Sequence, residues 1–527
     1  MPPPCPPGAA RAAPDLATES VTCRGPYPVD WGRCDAVVRG SVPGSQTGRR
    51  GCHPRGQSGD AVHRRDFLSL TAASAAAALL PRLARADAGR PNFLLLVSDD
   101  WGWPYYGFMR PTVGACLEAP LATCDPLTDP LCQPYLFPFP RTPNMDALVA
   151  GGIAFPWGIS TISRSTAARQ SIQTGLNRRN LATGTQYVHL EDDRAAAVAS
   201  GGRVTIPVAL DGLGYKAYGL GKWVVDGAPL SSHFNINQPG SGAETQANVS
   251  LIGPQLLESF LDGPGAGTDP WFVMFAPYMP HAPYPTGVPY DYDDFRGPAA
   301  TACGEKQVGL GDSTLRRFLA SCEWFDTMVG QVVAALEARG LRENTVILYT
   351  TDHGAALIRG KASFYENGLR TPIIVNCPAP LGTPWRVPAR GLHPAMVGTI
   401  DLMPTILDWA RDGQGGIPSW VPDPTDAARF PDAKSLRPLV TGTTDDFRTL
   451  MFSNRDAGGD IAVREAVYDP GTGELTSLYK LYVSKTFKEK QLFDLLANPF
   501  ENTKLSLLKD PAQATRIASL KAAIAAW

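Results

Sequence analysis

Short unbroken apolar runs, each closing on polar residues, set the pattern of this chain. Phe93-Leu94-Leu95-Leu96-Val97 runs into Ser98-Asp99-Asp100, and Val346-Ile347-Leu348-Tyr349 into Thr350-Thr351-Asp352-His353-Gly354. Trp271 to Ala276 is a third run and Pro372 to Val375 a fourth. Continuous apolar segments of this length suit strands covered on both faces, as in a parallel sheet. Between them the period changes. Thr142-Pro143 offers a cap and a proline at the first helical position, and Gly151-Gly152 closes that helix. Leu315, Phe318, Leu319, Cys322, Phe325, Val329, Val332 and Leu336 recur at helical spacing before Gly340 ends a longer one.

Strands alternating with helices predict an α/β fold, a large and mainly parallel mixed sheet sandwiched by helices. Residues 90–444 are expected to form this domain, and 445–527 a small C-terminal antiparallel-sheet subdomain with a terminal helix. Ligands of such sheets bind beyond the carboxyl ends of the strands. Asp99, Asp100, Asp352 and His353 all stand at such ends. Any one of these aspartates alone reads as the cap of the turn after its strand. Together they crowd three carboxylates, which is costly unless a cation joins them. The oxygen-rich set favours one hard divalent metal, calcium first and magnesium next, while the histidine nitrogen leaves manganese open.

Composition changes the picture little. Hydrophobic residues make up 44 % of 527, enough for a large core, and a net charge of −2 speaks against a nucleic-acid partner. No apolar run of ~18 residues appears in the body, so no stable membrane span is expected.

The first 89 residues differ. Residues 1–60 are rich in Pro, Gly and Arg and predict no fold. His63-Arg64-Arg65-Asp66-Phe67-Leu68, the apolar stretch Leu70 to Leu80 and Ala84-Arg85-Ala86 follow. This resembles a twin-arginine signal with its cleavage site, which implies the twin-arginine export machinery and a periplasmic or secreted product. Cys116, Cys124, Cys132, Cys303, Cys322 and Cys377 lie beyond that site. An even count permits disulfides in an oxidising compartment, with at least one expected among the three in 110–141. Cys322 shares the apolar helical face, so a buried thiol is expected there. No C-x-x-C supports a thiolate zinc site.

The chemistry gathers around Ser165 to Gly175, S-T-A-A-R-Q-S-I-Q-T-G. Ser165 opens a short helix and Arg169 lies one turn further; taken alone, Ser165 reads as an N-cap. The stretch resembles the signature of type I sulfatases, in the alkaline-phosphatase-like superfamily. The resemblance implies that a sulfatase-maturating enzyme oxidises Ser165 to formylglycine, whose hydrate joins the metal and attacks sulfur. Arg169 would sit behind it and hold its hydroxyls. Lys222 in Gly219-Leu220-Gly221-Lys222-Trp223 matches a sulfate-binding lysine, and Lys361 a second. His281 in Pro280-His281-Ala282-Pro283 matches the histidine that faces the leaving group. Two departures stand out: Val224 where the family often has histidine, and His353 where an asparagine is usual.

The resemblance extends through Thr142-Pro143-Asn144-Met145-Asp146, Glu366-Asn367-Gly368-Leu369-Arg370-Thr371-Pro372, Asp401-Leu402-Met403-Pro404-Thr405, Leu492-Phe493-Asp494-Leu495 and Asn498-Pro499-Phe500-Glu501. It covers about residues 90 to 527 and implies hydrolysis of an aryl or carbohydrate sulfate ester. Two other readings stay open. One is a phosphonate monoester or phosphodiester hydrolase of the same superfamily. The other is a silent sulfatase-fold binding protein in which Ser165 is never oxidised. No G-x-S-x-G elbow supports an unrelated α/β hydrolase. Loops 110–141 and 227–253 are expected to wall the pocket, where Tyr105, Tyr106, Tyr135 and Phe137 suit an aryl or sugar group or pack internally. His189 and His393 carry no motif and read as ordinary surface or packing residues.

Overall fold

All four apolar runs are strands. The computed structural model describes residues 90–112, 140–181, 204–222, 243–282, 313–357, 359–378, 391–444, 446–454 and 459–527. In chain order the first six strands are β1 (Asn92–Ser98), β2 (Ile153–Phe155), β3 (Gly158–Ile159), β4 (Lys216–Gly221), β5 (Trp271–Ala276) and β6 (Thr345–Thr351). Then come β7 (Ile373–Asn376), β8 (Val397–Gly398), β9 (Leu450–Asn454), β10 (Ile461–Tyr468), β11 (Leu475–Val483) and β12 (Glu489–Asp494). The main sheet runs β2-β7-β6-β1-β5-β4. Strands β4, β5, β1 and β6 are parallel neighbours, and β7 lies antiparallel to both β6 and β2. A mixed, mainly parallel sheet is what the runs predicted.

Helices cover both faces. They include α1 (Pro143–Ala150), α2 (Ser165–Thr174), α3 (Ala243–Asp262), α4 (Ser313–Ala338), α5 (Leu402–Ala410) and α6 (Ala514–Ala526). Successive β1 side chains point to opposite faces, as the pleat requires. Leu94 and Leu96 join Phe318, Phe325 and Val329 of α4, while Phe93, Leu95 and Val97 join Ile172 of α2 and Ile406 and Leu407 of α5. Each such side chain contributes about 1.5–3 kcal/mol when taken out of water. Helix α4 buries Leu319, Cys322, Val332 and Leu336, and Gly340 turns the chain beyond it at φ +64.

Helix α1 differs from the expected capping. Thr142 makes no side-chain cap bond. Asp326 of α4 instead accepts Asn144 N at 3.1 Å, Asn144 Nδ2 at 2.8 Å and Met145 N at 2.8 Å. Burial pushes the Asp326 carboxyl up to about 6 although these donors pull it down.

Strands β9 to β12 make a separate antiparallel sheet in the order β12-β11-β10-β9. Val463, Leu481, Val483 and Leu492 of that sheet pack with Leu520 and Ile524 of α6. Cys322 and Cys377 are buried, and His393 packs 5.1 Å from the Phe155 ring and 5.4 Å from Phe447. Tyr105 and Tyr106 are buried, so they belong to the core and not to a pocket wall. Among the described residues no helix is long and apolar enough to cross a membrane. The leader, the 113–139 insertion, Cys116, Cys124, Cys132, Cys303, Tyr135, Phe137, His189 and Val224 lie outside the described residues.

Candidate active site

Register brings the four metal-ligand candidates together. Ser98 pairs with Thr351, so Asp99-Asp100 and Asp352-His353 leave adjacent parallel strands side by side. One ligand atom from each of the four lies within 4.8 Å of the others, and all four residues are buried. Asp100 turns inward at φ +67, and its N–H donates to Asp352 Oδ1 at 3.1 Å. Gly354 lets the second pair sit close: an added Cβ would lie 1.6 Å from Asn367 O.

Helix α2 enters between them. Its cap position is Arg164, extended at φ −135, and Gly175 ends it at φ +65, where an added Cβ would strike the Phe430 ring. Ser165 is the first helical residue and makes no cap. Its Oγ donates to Asp352 Oδ2 at 2.6 Å. The loop before it is held on several sides. Ser160 Oγ donates to Asp352 O at 2.8 Å, Ser160 N to Leu369 O at 2.8 Å, and Asn454 N to Thr161 O at 2.7 Å.

Arg169 is fully buried behind Ser165. Its Nε reaches Asp352 Oδ2 at 3.1 Å and Ser165 Oγ at 3.3 Å, its Nη1 donates to Lys222 O at 3.0 Å, and its Nη2 to Ser98 O at 3.3 Å. One guanidinium thus joins the ends of β1, β4 and β6 to the start of α2, as a rigid fork of donors allows.

Lys222, just past β4, pairs with Asp99 Oδ2, and Lys361 Nζ reaches Asp100 Oδ1 at 2.8 Å. His281, in the turn after β5, brings Nε2 to 3.5 Å from Asp100 Oδ2. The nine site residues of the sequence reading therefore converge on one buried cluster. Three carboxylates meet three cationic side chains.

The electrostatics follow from burial. Burial and then Asp352 push the Asp99 carboxyl up, against Arg169 and Lys222. Burial also raises Asp352, but His353, Arg169 and Lys222, with the Ser165 hydroxyl, outweigh it and hold that carboxyl well below the usual range. Two buried ligand atoms, Asp99 Oδ1 and His353 Nε2, have no hydrogen-bond partner. Buried polar atoms are rarely left so. An oxygen and a nitrogen donor orphaned inside a carboxylate cluster fit a metal ion, which Asp99, Asp100, Asp352 and His353 would hold.

The sulfatase family model matches residues 91–412. This chain belongs to the sulfatase family. Among its relatives, choline-sulfatase of Rhizobium meliloti is 28 % identical over 213 residues, 39 % of this chain and 36 % of the relative. The N-acetylgalactosamine-6-sulfatase of Canis lupus familiaris is 24 % identical over 377 residues, 61 % of this chain and 62 % of the relative. The chain thus spans less than two thirds of either. Among solved structures, a phosphonate monoester hydrolase from Silicibacter pomeroyi shares the fold with a TM-score of 0.50 and 20 % identity, over 82 % of this chain and 94 % of that one.

Sequence reasoning missed several residues that shape the site of this sulfatase-family chain. Ser160 and Ser98 act through hydrogen bonds no local pattern announces. Tyr349 Oη meets Ser98 Oγ at 2.9 Å and Tyr106 Oη at 2.6 Å, a buried hydroxyl relay behind Asp99. Tyr278 lies against His281 with ring centroids 4.4 Å apart. Glu366 is buried with Arg464, Lys480 and Glu501: Glu366 Oε1 accepts Lys480 Nζ at 2.8 Å, which also reaches Glu501 Oε1 at 2.8 Å.

Proposed function

We propose that this chain hydrolyses sulfate esters, R–O–SO3⁻ with water giving the alcohol and hydrogen sulfate, with residue 165 as the nucleophile. The observation that carries the reading is the 2.6 Å bond from Ser165 Oγ to Asp352 Oδ2, inside a cluster that fits a metal, in a chain of the sulfatase family. Asp352 orients the 165 side chain and is placed to draw its proton. Arg169 holds the same oxygen from behind. Lys222 and Lys361 grip the sulfuryl oxygens, and His281 serves the leaving-group side as proton donor.

A bound divalent cation, calcium by preference for the carboxylates, supplies the charge that makes an oxygen on residue 165 acidic. Arg169, Lys222 and Lys361 already balance Asp99, Asp100 and Asp352, so that cation leaves the pocket net positive, which suits an anionic substrate. Conversion of Ser165 to formylglycine supplies a second hydroxyl when hydrated, and a plain serine lacks it. The names of these relatives support a choline-like or carbohydrate sulfate as substrate class, beside the aryl sulfate the resemblance implies. Export through the twin-arginine pathway to the periplasm, after maturation of Ser165, completes the proposal and rests on the leader sequence.

A second reading is favoured by one observation. That observation is His353 where asparagine is usual; the fold likeness to a phosphonate monoester hydrolase, over 82 % of this chain, is compatible with it. Steady-state assay of an aryl sulfate against aryl phosphate and phosphonate esters decides between them. Mass spectrometry of the peptide containing residue 165, after native expression, reads whether two hydrogens have been lost. Preference for the sulfate with an oxidised residue is expected. Faster turnover of the phosphonate would replace the reading, and an unmodified, inactive and metal-free chain would leave a binding protein.

A further inference from the structure

We infer that Tyr278 is a positioning residue whose ring sets Lys222 against His281, two groups 59 positions apart that must grip opposite ends of one ester; this rests on the sulfate-ester reading. Tyr278 is two residues past β5, in the turn that carries His281. The His281 N–H donates to Tyr278 O at 3.0 Å, and the Asp99 N–H donates to Met279 O at 3.0 Å, so the turn is pinned both to itself and to the end of β1. Pairing of Gly221 with Ala276 puts Lys222 beside this turn, and the Lys222 N–H donates to Ala276 O at 2.7 Å.

The side chains complete the arrangement. The Lys222 ammonium lies 4.7 Å from the centroid of the Tyr278 ring, within cation–π range, while its charge also meets Asp99. The His281 ring packs on Tyr278 at 4.4 Å with an interplanar angle of 49°, and its Nε2 faces Asp100. A flexible lysine stem would otherwise hold its charge in many positions. An aromatic face attracts it without neutralising it, so the ammonium stays available to a sulfuryl oxygen. The half-buried ring is thus a shared platform under the anion-binding lysine and the leaving-group histidine.

Inorganic sulfate is the probe, titrated by calorimetry into the metal-loaded, full-length protein. Wild type, Tyr278→Phe, Tyr278→Leu, Lys222→Met and the Tyr278→Leu/Lys222→Met double variant form the series. Tyr278→Phe keeps the ring and is expected within about twofold of wild type, whereas Tyr278→Leu weakens sulfate by about three- to thirtyfold. In the Lys222→Met background the same leucine substitution is expected to change little, because the coupling is gone. Kinetics with an aryl sulfate should show the leucine variant losing in KM and kcat together. An equal loss with and without Lys222, a Phe variant as weak as Leu, or a wild type that does not bind sulfate would overturn the inference. Absence of sulfate-ester turnover in wild type that does bind sulfate would instead sink the functional reading, and the binding cycle would still decide the role of Tyr278.

Discussion

Ser165 Oγ and Asp352 Oδ2 lie 2.6 Å apart across 187 positions of sequence. The contact exists because β6 ends where α2 begins and because Ser160 Oγ ties the intervening loop to Asp352 O. It is a hydrogen bond to a charged, buried acceptor, the strong kind. Asp352→Asn keeps the shape and removes the charge. Turnover of an aryl sulfate is expected to fall by about 100-fold or more. Steady-state kinetics on a variant with an unchanged circular dichroism spectrum checks this; activity within about threefold of wild type would contradict it.

Arg169→Lys is expected to behave as a severe change. A single ammonium cannot replace a guanidinium that serves Asp352, Ser165, Lys222 O and Ser98 O together. Carbonyls buried without their donors cost about 1–3 kcal/mol. Denaturant unfolding should show a loss in that range alongside near-complete loss of turnover. Full stability with only activity lost would mean the guanidinium's scaffold bonds matter less than its position behind Ser165.

Metal removal should loosen the fold at its centre. Asp99 Oδ1 and His353 Nε2 are buried without a hydrogen-bond partner, in a cluster where burial and Asp352 push the Asp99 carboxyl up, and a cation would take up both atoms. A cation at a hundredfold excess over its Kd adds about 2.7 kcal/mol of stability. Chelator-treated protein is therefore expected to melt lower and to recover with millimolar calcium. Asp99→Asn should blunt that recovery. A melting temperature indifferent to chelator and calcium would remove the metal from the account.

The buried Glu366 cluster predicts an acid limb. A free glutamate titrates near 4.5; burial raises Glu366, but Arg464 and Lys480 outweigh it and bring it to about 2. A folded value below the unfolded one gives stability that is complete above pH 4.5 and drains away as pH falls toward 2. Glu501, raised by burial, works in the opposite sense. Glu366→Gln leaves Arg464 and Lys480 short of a counter-charge, at a cost of about 3–5 kcal/mol. Urea unfolding between pH 7 and pH 3 should show the variant weaker at neutral pH and flatter toward acid.

What the sequence disclosed was what local pattern can carry. The apolar runs ending at Asp99 and Asp352 marked strand ends, and parallel topology does the rest by setting those ends side by side. What it withheld depends on partners far along the chain. Nothing near Thr142 says that Asp326 will cap the helix instead, and nothing near Tyr106 says that its hydroxyl will meet Tyr349 inside the core. Tyr278 was silent for the same reason. A lone aromatic after a strand gains meaning only once Lys222 and His281 are placed around it.

Strand β9 closes the peptide ahead of Ser165, through Asn454 N on Thr161 O and Ser453 Oγ on Ser160 O at 2.9 Å. Those partners emerge from the ribosome 293 residues later than the serine they clasp. Until they arrive the Ser160 and Thr161 carbonyls lack these two donors, although Asp352 and Leu369 can already hold Ser160. We propose that the enzyme expected to oxidise Ser165 acts in that interval, before β9 closes over the peptide.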